Sequence, residues 1–134
     1  MAKKAILMCT CSGACPSMKD INFWELAERI RLELNHDFLV MHPRLCEENG
    51  ECLMEDLLKD DGTKYYVLAC KEEKQRKLLR DGYQRARVAM NKDTYHPISL
   101  SFKNTDQVFE EIRKALEEDE AVGEESKEEA QVNG

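Results

Sequence analysis

The chain reads as an α/β protein. It is expected to be a single small domain on a mostly parallel sheet of about four strands flanked by helices, with a disordered acidic C-terminal tail. Two observations predict this. Along 134 residues, short apolar runs of strand length alternate with amphipathic stretches of helical period, and such alternation puts parallel strands in one sheet with right-handed crossovers over its faces. A chain of this length, 42% hydrophobic, can fill one core and is short for two.

The elements follow in order. Ala5-Ile6-Leu7-Met8 reads as a buried strand stopping at Cys9. Asn22 opens a helix, with Glu25 completing a capping-box-like pair and Phe23, Ala27, Ile30 and Leu34 on one face. Phe38 to Met41 is a second strand, ended by His42-Pro43 because proline lacks the donor that pairing needs. Leu53, Leu57 and Leu58 mark a second helix that closes near Asp61-Gly62. Tyr65 to Ala69 is the strongest strand, aromatic and branched, and runs into Cys70. A charged helix from about Lys71 to Arg80 continues through Tyr83, Ala86 and Val88. Ile98 to Phe102 alternates as a strand does, and Thr105 is expected to cap a last helix with Val108, Phe109, Ile112, Ala115 and Leu116 on one face. Trp24 and the tyrosines read as core and helix-face packing.

Charge divides the chain in two. Residues 117–134 hold eight acidic residues and one lysine, and residues 1–116 hold 19 of each sign, so the tail carries the net charge of −7. With few apolar side chains to offset the entropy of ordering, 117–134 is expected to be a disordered acidic tail on a 1–116 cysteine-rich α/β domain. A neutral body and an acidic tail leave no electrostatic footprint for nucleic acid. Nothing approaches the roughly 20 apolar residues of a membrane span, and Met1 to Met8 lacks a signal peptide's long apolar stretch and cleavage site. No membrane partner and a cytoplasmic location are expected.

Six cysteines in a small cytoplasmic chain favour metal or redox chemistry over a disulfide scaffold. In an open parallel sheet the loops leaving the carboxyl ends of the strands build the ligand site. Cys9 and Cys11 leave the first strand, Cys46 sits in the loop after the second, and Cys70 caps the third, so all four are expected along one edge. Residues two apart in an extended segment point the same way, which lets Cys9 and Cys11 present two thiolates together. Ser12, Gly13 and Pro16 suit a loop wrapped closely round a bulky group. Four thiolates among backbone amides meet the usual requirement of an iron-sulfur cluster. Zinc stays open as the alternative, although the paired C-x-x-C knuckles usual for structural zinc are missing. Cys15 and Cys52 are left as spare thiols, further ligands or a redox pair, and His42, near Cys46, as a supporting group. No serine-histidine-acid set, phosphate loop or paired-carboxylate motif is present.

Three segments carry a resemblance. Ile6-Leu7-Met8-Cys9-Thr10-Cys11-Ser12-Gly13, then Leu45-Cys46 ahead of Gly50 and a short helix, then Val67-Leu68-Ala69-Cys70, resemble the amino-terminal iron-sulfur domain of the A-type component of heterodisulfide reductase. The resemblance spans about Lys4 to Gly82. It implies a 4Fe-4S cluster held by Cys9, Cys11, Cys46 and Cys70, and electron transfer inside a larger oxidoreductase complex of an anaerobe, with a redox partner protein and no catalysis by this chain alone. The family's third motif continues Ser-Pro-Arg after Ala-Cys, whereas Lys71-Glu72-Glu73 follows here. Cys15 and Cys52 are not part of the family's pattern. No flavin-binding glycine motif follows, so the resemblance is to the cluster domain standing alone. Two other readings keep their place: a thiol-disulfide redox protein and a zinc-stabilised interaction domain.

Overall fold

Four strands alternate with four helices in the computed structural model, which describes residues 3–10, 16–43, 45, 48–59 and 62–132. The elements are β1 (Lys3–Cys9), α1 (Phe23–Glu33), β2 (Phe38–His42), α2 (Glu48–Leu58), β3 (Thr63–Ala69), α3 (Glu72–Ala86), β4 (Tyr95–Ser99) and α4 (Thr105–Val132), with a 3-10 turn at Pro16–Met18 ahead of α1. The strands form one all-parallel sheet in the order β2-β1-β3-β4. The protein is therefore α/β, as the alternation of apolar runs implies. Among the described residues no helix is long and apolar enough to cross a membrane.

Alternation along the strands sorts their side chains onto two cores. Ile6, Met8, Tyr66, Leu68 and Ile98 face Leu26 and Ile30 of α1 and Val108 and Ile112 of α4. Ala5, Leu7, Cys9, Tyr65, Val67 and Tyr95 face Met54 and Leu58 of α2 and Leu79 and Tyr83 of α3. The central strands are apolar on both sides because helices cover both sides. Each fully buried leucine or isoleucine contributes about 1.5–3 kcal/mol.

The helix starts are built by short-range hydrogen bonds. Asn22 Oδ1 accepts from the Glu25 amide at 3.0 Å, which is the expected cap of α1. At α4 the cap is Asn104 rather than Thr105: Asn104 Oδ1 accepts from the Gln107 amide and Gln107 Oε1 accepts from the Asn104 amide, both at 2.9 Å. Thr105 is instead a cross-brace whose Oγ1 accepts from the Asn22 amide at 2.8 Å, joining the starts of α1 and α4. Arg29 adds an ion pair to Asp106 at 2.6 Å and stacks 4.0 Å above the Phe109 ring.

Other expectations shift. The last strand is Tyr95–Ser99, not Ile98 to Phe102. It is an edge strand, where Pro97 is tolerated, and Tyr95 anchors its start by being buried against Tyr83. Phe102 stands in a turn with φ 58° and is 78% exposed. The buried stripe of α1 centres on Leu26 and Ile30, with Phe23, Ala27 and Leu34 half-covered beside it. Trp24 is not core: it is 79% exposed, because two residues carry it about 200° round the helix from Leu26.

The folded body reaches past Leu116. Asp119 accepts from Lys64 Nζ at 2.7 Å and from the Tyr66 hydroxyl, fastening α4 to β3. Across 117–134, expected as a disordered tail, the backbone of α4 runs as helix to Val132, while the side chains of residues 120–132 and all of 133–134 lie outside the described residues.

Candidate metal centre

The chain leaves β1 for β2 through α1 on one face of the sheet and leaves β3 for β4 through α3 on the other. Between β1 and β3 the connections part in opposite directions. In open α/β sheets such a switch point opens a crevice beyond the carboxyl ends of the two strands, and ligands bind there. Cys9 is the last residue of β1 and Cys70 directly follows β3. The register Met8↔Leu68 puts Cys9 level with Ala69, one step short of Cys70.

The two thiols enter from different sides. Cys9 is 5% exposed and packs in the core beneath α2 and α3. Its Sγ donates a long, weak hydrogen bond to the Pro43 carbonyl at 3.9 Å. Cys70 is half-buried and packs against the core beneath α1 and α4. A group seated on the crevice would thus be met by one thiol from each face.

The segments leading to the other two cysteines converge on the same corner. The Thr10 amide donates to the His42 carbonyl at 3.0 Å, so the strand carrying Cys9 leaves alongside the exit of β2. Leu45 is buried in the cluster that contains Cys9. A Cβ on Gly50 of α2 would lie 2.6 Å from the Leu45 Cα, so only glycine lets the helix approach that loop. Cys11, Cys15 and Cys46 themselves lie outside the described residues. An open cleft of about 580 Å³ beside Thr10 is lined by Met41, Phe23 and Trp24.

The start of α3 faces the crevice too. Lys71 is its N-cap and makes no side-chain cap hydrogen bond, so the first-turn amides direct their partial positive charge at the edge beside Cys70, which favours a thiolate or an anionic group there. Glu72, in that turn, is held by Arg76 at 2.6 Å.

Sequence reasoning missed Gln75. It is 1% exposed, and its amide donates to the carbonyl oxygens of Cys70 at 2.8 Å and Ile98 at 3.0 Å, while its Oε1 accepts from the Tyr95 hydroxyl at 2.9 Å. Burial, then the acidic neighbours, push the Tyr95 phenol above its ordinary range against the pull of Arg76, so it stays a donor. One signal was present: Gln75 falls four residues before Leu79 and eight before Tyr83, on the buried stripe of α3.

Cys52 and His96 stand away from the crevice, and His42 stands beside it. Cys52 is exposed on α2, 4.0 Å from the Arg85 guanidinium that also pairs with Glu55. His42 pairs with Cys9 in the β1–β2 register and is half-exposed. His96 stacks at 5.5 Å on Tyr66, where burial and then Lys64 hold its imidazole below the usual range. Among the described residues no three histidine, cysteine, aspartate or glutamate side chains gather into a metal-holding group. No family model matches the chain, and no curated protein matches it.

Proposed function

We propose that this is an electron-transfer protein that holds a 4Fe-4S cluster on the thiolates of Cys9, Cys11, Cys46 and Cys70 and works within a heterodisulfide-reductase-like redox complex. One observation carries this reading: Cys9 ends β1 and Cys70 directly follows β3, the two strands that flank the switch point of the sheet, where such folds open a ligand crevice. The donor set fits the group, since thiolates are the usual ligands of iron-sulfur clusters. The approach of Thr10 and Leu45 to the Cys9 corner supports Cys11 and Cys46 as the other two ligands.

When bound, a cluster of this kind supplies one-electron chemistry. The residues of the chain hold it and shield it: Cys9 is seated in a dry core, and the amides at the start of α3 favour its negative charge. Electron transfer needs a partner at short range. Two of the three large apolar side chains exposed among the described residues, Trp24 and Phe102, stand at the carboxyl edge, which supports a protein partner docking over the site. A reducing compartment such as the cytoplasm keeps the thiols free to bind.

Metal and acid-labile sulfide analysis of anaerobically purified or reconstituted protein tests the proposal. The expected result is brown protein with about four irons and four sulfides per chain, lost in Cys9→Ala and Cys46→Ala. Colourless protein that holds zinc alone after attempted reconstitution would replace it with a zinc-stabilised domain.

A further inference from the structure

Of the two glutamines in α3, Gln75 is buried among charged neighbours, and a buried amide needs partners for its polar atoms. Gln75 is 1% exposed, and both protons and one lone pair of its amide are used: Nε2 donates to the Cys70 and Ile98 carbonyls, and Oε1 accepts from the Tyr95 hydroxyl. Its own backbone amide donates to the Lys71 carbonyl at 2.9 Å. Gln75 thus holds two successive carbonyls, that of Cys70 through its side chain and that of Lys71 through its backbone.

The grip falls where the sheet stops helping. Beyond the paired residues of β3 and β4, the Leu100 amide donates to the Ala69 carbonyl at 2.7 Å, and Cys70 lies one residue past β3. A carbonyl held there fixes the peptide plane after Cys70, and with it the direction in which the thiol leaves the backbone. Tyr95 and Ile98 carry the same constraint into β4.

We infer that Gln75 is a positioning residue for Cys70, holding its backbone so that the thiol meets the crevice in one orientation, with Tyr95 holding Gln75. This rests on the proposal that Cys70 is a cluster ligand.

The test uses the full chain in two forms. Gln75→Met keeps length and helix propensity and removes both donors, and Gln75→Glu keeps an acceptor for Tyr95 with at most one donor. In metal-free, reduced protein, iodoacetamide labelling read by peptide mass spectrometry is expected to modify Cys70 roughly three- to tenfold faster in Gln75→Met than in wild type. Gln75→Glu should fall between, and Cys52 should label at an unchanged rate. In reconstituted protein of equal iron content, Gln75→Met is expected to change the g values and midpoint potential of the reduced cluster, and Tyr95→Phe to change them less. Should Gln75→Met fail to melt cooperatively, Gln75→Glu and Tyr95→Phe carry the comparison. A folded variant with wild-type Cys70 labelling and a wild-type spectrum overturns the inference. Wild-type protein that takes up no cluster defeats the proposed site instead, and the labelling contrast alone then decides whether Gln75 holds Cys70.

Discussion

The sulfur of Cys9 and the carbonyl of Pro43 meet at 3.9 Å, joining the end of β1 to the loop after β2 through one side chain. Because this thiol is buried, its structural and ligating roles can be separated. Cys9→Ser keeps a donor for Pro43 and is expected to lie within about 1 kcal/mol of wild type in urea melts. Cys9→Ala leaves a small void and costs about 1–2 kcal/mol. Both are expected to lose most bound iron. Full iron in either variant, by metal analysis, would remove Cys9 from the ligand set.

Asp119 links stability to acid. Burial raises its carboxyl pKa, but the hydrogen bonds from Lys64 and Tyr66 together outweigh this and hold it below the ordinary range. Its contribution is therefore complete above the unfolded value of about 3.9 and fades as pH falls through the lower folded value. His96, held low by burial and Lys64, acts earlier: the unfolded chain takes up its proton first, so stability declines below about pH 6.5. Urea midpoints from pH 8 to 3 should fall in two stages. Asp119→Asn is expected to remove the lower stage and cost about 1 kcal/mol at pH 7, a figure discounted because the carboxylate is 31% exposed.

Gly50→Ala reverses the usual helix rule. Alanine normally gains about 1 kcal/mol over glycine inside a helix. Here its Cβ would meet the backbone of Leu45 at 2.6 Å, and backbone cannot rotate away. A net loss of about 2–3 kcal/mol is expected, with poorer iron loading because the displaced residue adjoins Cys46. A thermal midpoint at or above wild type would show that the loop yields freely.

Phe102→Gly should stabilise. A φ of 58° is costly for a phenylalanine and free for glycine, and the ring is 78% exposed, with Lys71 Nζ 6.0 Å from its centroid. Relief of strain less the added unfolded-state entropy leaves about 0.5–1 kcal/mol, measurable as a higher melting temperature. If the aromatic edge docks a partner, the same variant should bind it more weakly.

The elements that fill the core were the readable ones. Tyr65 to Ala69 announces a central strand by composition, and Asn22 with Glu25 announces a helix start, because burial and capping act over a few neighbouring residues. Tyr95 was hidden by Pro97, a residue that argues against a strand unless the strand is known to be at an edge. Thr105 has the hydroxyl of a cap, but that oxygen accepts from the distant Asn22 amide, and Asn104 caps α4 instead. At the site, strand ends predicted which edge carries Cys9 and Cys70. The opposite faces of their thiols depend on the pleat and on the bend after β3, and Gln75 was masked by charged neighbours whose exposure says nothing of its own.

The pairing of β1 with β3 also sets a clock on assembly. Cys70 follows Cys9 by 61 positions, and β2 with both flanking helices intervenes. At a synthesis rate of about 5–20 residues per second, roughly 3–12 seconds separate their appearance on the ribosome. During that interval the first half of the crevice exists without its other wall. On the proposed ligand set, the full complement of thiols exists only once Cys70 has emerged, so a cluster is best received after that point.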